Sequence, residues 1–435
     1  MFREGLLDKI LYHIKKLIPK SVFDFFAPYY HAGLAHLGNI LYGNPSKSLK
    51  VIGVTGTKGK STTVYLISKI LEDAGFSTAA IGSLGFKIKD KEWPNTLKMT
   101  MPGRFKLQKF FHEAKKAGCK YVVLEVTSEG IKQKRHLGVN FDCAVFTNLH
   151  KEHLESHGSF ENYYKAKQEL FARTNNIHVL NADDKNVELF SKFSSKRTIF
   201  YGIESGDMKA QNLELEQDKS SFDVYGVRFN INFGGKFNVL NCLAALSVAA
   251  MYGIDLPKTK QILEDIKNIP GRMEFIQKEP FGIIVDYAHT PDSLEAVYKT
   301  LKRSDLAARS DLESGGRLIC VLGAAGGGRD KWKRPAFGKI ADEYCDEIIL
   351  TNEDPYEENP EKIIGEIASG INSKNKVTKI LDRKEAIKFA INKTGEGDTV
   401  IITGKGSETS MAIAGGNKIP WSDKQIVQEF LRFDS

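Results

Sequence analysis

Apolar positions along this chain follow two rhythms. Short β-branched runs, such as Val51-Ile52-Gly53-Val54, Tyr121-Val122-Val123-Leu124 and Cys143-Ala144-Val145-Phe146, read as strands buried on both faces, the pattern of a parallel sheet. Between them apolar residues recur at helical spacing. Val64, Ile67, Ile70 and Leu71 predict a helix over 62–71, and 160–171 and 238–252 read as helices as well. Residues 198–233 hold short alternating segments, expected to form a small antiparallel addition. Ile269-Pro270-Gly271-Arg272 looks like a hinge. Beyond it lie four more apolar strands, 283–286, 318–323, 347–351 and 399–403, each closing on polar or glycine residues, where α/β sheets place ligands.

The expected fold class is therefore α/β. A central domain with a mostly parallel sheet covers 49–268, and a C-terminal Rossmann-like α/β domain covers 269–435. A short helical N-terminal segment covers 1–48. There Leu6, Leu7, Ile10, Leu11, Ile14 and Leu17 keep helical spacing with Lys9, Lys15 and Lys16 on other faces, and Phe23, Phe25, Phe26, Tyr29 and Tyr30 follow. Such a helix can lie on a membrane surface, but packing on the protein body is the commoner fate. Residues 304–316 read as a polar, mobile loop.

Bulk properties narrow this picture only a little. A chain of 435 residues needs more than one core. With 41% apolar and 27% charged residues it reads as soluble and globular. No apolar run reaches membrane-spanning length and no signal peptide is seen, so a cytoplasmic monomer without membrane insertion is expected. A net charge of +8 suits an anionic nucleotide and a small-molecule or peptide substrate, and gives no argument for nucleic acid. The five cysteines lack metal-site spacing and are expected to be buried, reduced thiols.

The chemistry concentrates at the end of the first strand. Gly56-Thr57-Lys58-Gly59-Lys60-Ser61-Thr62 joins that strand to a helix start, where backbone N–H groups and the helix dipole favour phosphate. Lys60 would reach the terminal phosphates, and Ser61 or Thr62 would ligate Mg²⁺. The glycine spacing departs from the general phosphate-loop pattern and fits a variant, Gly-Thr-x-Gly-Lys-Ser/Thr-Thr. Glu125 closes an apolar strand and needs a cation or another partner; a metal near the loop would supply one, and a satisfied structural carboxylate is the rival reading. His153 and His157 follow the next strand, and each is either a site residue or merely exposed. Lys167, read alone, is a solvated helical lysine. In the second unit Asp286-Tyr287-Ala288-His289 closes one strand. Gly323 to Pro335, carrying Arg329, Lys331, Lys333 and Arg334, closes the next, a combination suited to phosphate or carboxylate.

Taken together, these motifs resemble the Mur ligases, the ATP-dependent amide-forming family of peptidoglycan synthesis, and within it the tripeptide synthetases. The resemblance runs from about residue 50 to the end. It is carried by 56–62, Glu125-Val-Thr-Ser-Glu-Gly130, Thr147-Asn148 with Glu152-His153-Leu154, Tyr164-Lys-Ala-Lys167, Phe237-Asn238-Val-Leu-Asn241, Pro270-Gly-Arg-Met-Glu274, Asp286-Tyr-Ala-His289, Arg329-Asp-Lys331 and Gly404-Lys-Gly-Ser-Glu408. It implies an ATP- and Mg²⁺-dependent ligase that activates a peptide carboxylate as an acyl phosphate and couples it to an amino acid. It implies that Ser61, Glu125, His153 and a carbamylated Lys167 hold Mg²⁺. Around the nucleotide it places the 56–62 loop, Asn238, Arg272, Asp286, Tyr287 and His289. Around the substrates it places Ser128, Arg135, Arg329, Asp354, Tyr356, Gly404 and Glu408.

Departures from the family pattern shift some expectations. The family's UDP-holding first domain is much longer than 48 residues, so UDP is expected to add little to donor binding. Ser-Ser-His-Gly is Thr127-Ser128-Glu129-Gly130 here, and the Asp before the metal-binding histidine is Glu152. Asp-Asn-Pro-Arg of diaminopimelate-adding members reads Glu353-Asp354-Pro355-Tyr356, without the guanidinium that would clamp a distal carboxylate. With Glu408, this corner reads as acidic and suited to a basic amino acid. The rival readings are a ligase for a non-UDP substrate of the cyanophycin or polyglutamate type, and a nucleotide-binding scaffold without catalysis.

Overall fold

A computed structural model describes residues 20–97, 99–152, 154–302 and 316–433. The expected helix at 6–17, nearly all of the loop at 304–316, and His153 lie outside them. The chain divides into two compact units. The first takes residues up to 212 with 222–229 and 238–265, and the second takes 213–221, 230–237 and 266–435.

The first unit is built on a nine-stranded sheet among the described residues. Its strands are β1 (Lys50–Thr55), β2 (Thr78–Gly82), β3 (Gly85–Ile88), β4 (Lys91–Trp93), β5 (Tyr121–Glu125), β6 (Phe141–Phe146), β7 (Ile177–Asn181), β8 (Arg197–Gly202) and β9 (Met208–Lys209). They lie in the order β4-β3-β2-β5-β1-β6-β7-β8-β9. From β2 to β9 every pairing is parallel, while β3 and β4 add an antiparallel edge. Central β1 is buried from Val51 to Thr55, as its uninterrupted apolar run requires. Helix α1 (Lys20–Leu41) packs on α2 (Arg104–Lys116): Gly38 lies against Phe105, and Ala35 is buried. Its Tyr29, Ile40 and Leu41 remain exposed.

The expected antiparallel addition at 198–233 is only partly right. Residues 197–202 and 208–209 extend the main sheet in parallel, because the apolar Ile199 and Tyr201 are buried there. A separate three-stranded sheet is left to residues 211–231.

The second unit holds a six-stranded sheet. Its strands are β10 (Glu274–Gln277), β11 (Gly282–Asp286), β12 (Leu318–Leu322), β13 (Glu347–Leu350), β14 (Val377–Lys379) and β15 (Thr399–Thr403), in the order β10-β11-β15-β12-β13-β14. All pairings but β10–β11 are parallel. Alternate residues fill two cores. Ile284, Cys320, Leu322, Ile348 and Ile401 face one, and Ile283, Val285, Ile319, Val321 and Ile402 the other. Cys320 and Cys345 are joined in a disulfide, which corrects the expectation of five free thiols. Cys345 enters the strand beside the one carrying Cys320, and a sequence separation of 25, spanning helix 333–344, hid that proximity in the sequence. Cys119, Cys143 and Cys242 are buried thiols, as expected.

Candidate functional site

The first unit's site grows from the turn after β1. Gly56 has φ +151° and Gly59 φ +80°, conformations that L side chains rarely adopt. A Cβ at Gly56 would collide with the Thr147 hydroxyl, and one at Gly59 with the Asn241 amide oxygen. The loop is thus moulded against the end of β6. Lys58 N–H donates to Asn148 Oδ1 (2.8 Å), and Asn148 Nδ2 and Thr147 Oγ1 both donate to the Lys58 carbonyl. Thr57 meets the Tyr163 hydroxyl at 3.0 Å. Lys58 pairs with Glu152 at 3.2 Å, and Lys60 Nζ donates to the Thr57 carbonyl (2.8 Å) at the start of helix 60–73. Asn241 also takes a hydrogen bond from Thr63 and donates to Asn238, so both asparagines stand beside the loop.

At the end of β5, Glu125 is buried, accepts the Ser61 hydroxyl (3.1 Å) and accepts the Ser83 N–H (2.8 Å). Carboxylate and hydroxyl side by side form an oxygen-rich pair that suits Mg²⁺. Lys167, on α3 (Phe160–Ala172), is 2% exposed, which overturns its reading as a solvated lysine: its helix face turns inward. Its Nζ donates to the Gly56 carbonyl (2.6 Å) and lies 4.6 Å from the Tyr163 ring centre. Burial, then the neighbouring Lys60, hold its pKa well below the ordinary lysine range. His157 is buried with Nε2 3.2 Å from Ser128 Oγ, and burial lowers its pKa. Arg135 is buried and donates to the Met101 carbonyl and to Gln133.

In the second unit, Asp286 closes β11 and accepts N–H bonds from Met273 (2.7 Å) and Ala288 (2.6 Å), so it shapes the turn rather than standing free. The Arg272 guanidinium lies 4.5 Å over the Tyr287 ring, and the Tyr287 hydroxyl donates to Glu408 (3.3 Å). His289 Nδ1 is 2.8 Å from the Tyr287 carbonyl oxygen. Gly271, at φ +62°, presses on the backbone of Gly406 and Ser407. The expected acidic corner is largely neutralised: fully buried Lys405 pairs with both Asp354 (2.8 Å) and Glu408. Burial opposes that ammonium, yet Glu408 and Asp354 keep its pKa above the ordinary value. Glu353 lies over Gly404, where a Cβ would sit 2.7 Å from its Oε2. Burial, then Asp354, push its pKa up to about 7. Exposed Arg329 hydrogen-bonds the Tyr356 side chain, and Tyr356, at φ +51°, packs on Gly327.

Several partners escaped the sequence reading. Asn148 and Asn241 sit inside the quoted motifs but carry no role there, since only the fold shows that they touch Lys58 and Gly59. Tyr163 and Ser83 gave no signal at all.

Comparison with known proteins agrees in both units. The family model for the Mur ligase middle domain matches residues 54–249, and that for the Mur ligase glutamate ligase domain matches 271–406. A UDP-N-acetylmuramoyl-L-alanyl-D-glutamate–2,6-diaminopimelate ligase of Clostridium acetobutylicum is 38% identical, over 92% of this chain and 81% of its own length. The enzyme of the same name from Aquifex aeolicus is 39% identical, over 90% and 80%. A solved structure of such a ligase superimposes with TM-score 0.62 at 32% identity, covering 89% of this chain and 79% of its own. A Mycobacterium tuberculosis folylpolyglutamate synthase complexed with ADP and AMPPCP shares the fold, with TM-score 0.69 at 17% identity, over 86% and 92%.

Proposed function

The chain belongs to the Mur ligase family and is an ATP-dependent amide-forming ligase, and from that premise we propose that it adds an amino acid to an acidic peptide in peptidoglycan stem-peptide synthesis. The observation that carries the reading is Lys167, a buried amine against the phosphate loop with Glu125 and Ser61 close by. Burial favours the uncharged, nucleophilic form of that amine. Its nitrogen bonds to the carbon of CO₂ and loses a proton, leaving a carbamate.

Ser61, Glu125, His153 and that carbamate are the residues that would hold Mg²⁺, which when bound offsets charge on the phosphate oxygens. The loop N–H groups and Lys60 hold the phosphates in place. A donor carboxylate oxygen bonds to the γ-phosphorus and ADP leaves, giving an acyl phosphate. The incoming amine then bonds to the acyl carbon, loses a proton, and inorganic phosphate leaves. Lys60 stabilises the charge that develops in the first step.

On the acceptor side, Arg329 takes the amino acid's α-carboxylate as a charge-assisted pair. Phosphate release assayed with and without each substrate tests the function. Release is expected only with ATP, a peptide carboxylate and an amine together, and release that ignores the amine would sink it. No helix among the described residues is long and apolar enough to cross a membrane.

A further inference from the structure

Arg383 is the first residue of α4 (Arg383–Asn392), and Asp423 the first of α5 (Asp423–Phe433). Their side chains are wholly buried and paired: Arg383 Nε donates to Asp423 Oδ1 (2.9 Å) and Nη2 to Oδ2 (2.7 Å). A cation in the first turn of a helix stands against the helix dipole, and a buried ion pair adds little stability over an apolar substitute. Stability therefore gives little reason for the pair. The remaining donors of the guanidinium give a better one.

Arg383 Nη2 also donates to the Thr403 carbonyl (2.8 Å), and Nη1 to the Asn352 carbonyl (3.3 Å). Thr403 stands just before Gly404 and Lys405, and Asn352 just before Glu353 and Asp354. One guanidinium thus holds the roots of two acceptor-side segments. Asp423 accepts Trp421 Nε1 (2.8 Å), and the Trp421 N–H donates to the Thr409 carbonyl (3.1 Å), just past Glu408. The next residue, Lys424, donates to Glu274 (2.6 Å), whose other oxygen takes the Gly271 N–H (2.7 Å), and Gly271 presses on Gly406 and Ser407. Segment 404–408 is held at its start, middle and end by groups that meet at the buried pair or beside it. The fit it keeps is close: a Cβ at Gly404 would sit 2.7 Å from Glu353 Oε2, and Lys405 bridges Asp354 and Glu408.

We propose that Arg383, locked by Asp423, is a positioning residue for the incoming amino acid: it fixes segments 353–356 and 404–408 in the register that receives it. This rests on the ligase reading above. Arg383→Lys keeps the charge opposite Asp423, but three N–H donors on one nitrogen replace a fork that makes four contacts, so the carbonyls are released. Phosphate release by the full-length protein is measured with ATP, L-alanyl-D-glutamate, and lysine or meso-diaminopimelate varied in turn. The amino-acid KM should rise about tenfold or more in Arg383→Lys, with the ATP and dipeptide KM within about twofold of wild type. Asp423→Asn keeps both carbonyl bonds of Arg383 and should raise the amino-acid KM by roughly threefold. Amide hydrogen exchange without substrates should quicken in 352–356 and 403–409 of Arg383→Lys and stay as in wild type in the first unit's sheet. An unchanged amino-acid KM in Arg383→Lys, or a rise shared equally by all three substrates as a merely structural role would give, overturns the proposal. Should Arg383→Lys not fold, Asp423→Asn decides, and an amino-acid KM equal to wild type overturns it. If wild type releases no phosphate in response to an amine, the ligase reading fails and the exchange measurement still decides: selective quickening supports the positioning, and exchange equal to wild type overturns it.

Discussion

Two buried ionisable side chains carry consequences that can be measured one residue at a time. Among the described residues Lys167 donates to a backbone carbonyl rather than to a carboxylate, so its ammonium form is poorly compensated. Lys167→Ala should lose nearly all activity, on the order of a hundredfold or more, as removing a group that holds transition-state charge does. Short carboxylic acids should restore part of it by supplying the missing oxygens. Full activity in the alanine variant, or an acid-stable unmodified amine in the nucleotide-bound protein, would refute carbamylation. Glu353 gives a pH signature. Its folded pKa of about 7 lies above the ordinary 4.5, so the folded chain holds that proton more tightly than the unfolded one. The stabilisation is therefore complete below about pH 4.5 and is lost as pH rises through 7, up to roughly 3 kcal/mol at 1.36 kcal/mol per unit. Glu353→Gln should melt higher than wild type at pH 8, with the gap closing by pH 5. A gap that does not vary with pH would show that Glu353 ionises normally.

At the scale of elements, the central strands were legible because both their faces are buried and their apolar runs are unbroken, as in β1, β5, β11 and β15. The edges were not. β4 reads Lys91-Glu92-Trp93 and β14 reads Val377-Thr378-Lys379, too short and too polar to show a period, and held by pairing to a neighbour rather than by burial. Helix 160–172 was legible from its spacing, but the depth of Lys167 was not, because the pattern could not say which long side chain turns inward at the phosphate loop. The turn at 56–62 and its strand–helix setting were readable from one local motif, whereas Arg104 and Arg135 meet only through Gln133. The disulfide belongs to this scale too, since it ties β12 to the start of β13. By the chain-entropy account, closing a loop of this size contributes about 3 kcal/mol. Cys345→Ala should lower the denaturant midpoint relative to oxidised wild type, and reductant should erase the difference. A variant as stable as oxidised wild type would contradict this.

The acceptor site proposed above would need the whole second unit, because three distant segments supply its residues: Arg329 after β12, Glu353 to Tyr356 after β13, and Gly404 to Glu408 after β15. Charge balance over that assembly decides what it prefers. Lys405 cancels much of Asp354 and Glu408, and Glu353 remains as an acid half-ionised near neutral pH. Arg329 is the exposed cation of the set, and its guanidinium is already turned to the Tyr356 side chain. One α-carboxylate can be met by Arg329. A second, distal carboxylate would find the Tyr356 hydroxyl, a single neutral donor, close to the carboxylates of Glu353, Asp354 and Glu408. A buried carboxylate so poorly matched costs about 1–3 kcal/mol or more. A distal ammonium without a carboxylate meets Glu353 favourably. Lysine or ornithine should therefore be used with a kcat/KM at least tenfold above that for meso-diaminopimelate on the same donor, although the relatives compared above are named for diaminopimelate. Tyr356→Arg should shift the ratio towards diaminopimelate by supplying a bidentate partner. A wild-type preference for diaminopimelate would mean that Lys405 leaves its two acids to greet the distal carboxylate, and the charge balance argued here would be wrong.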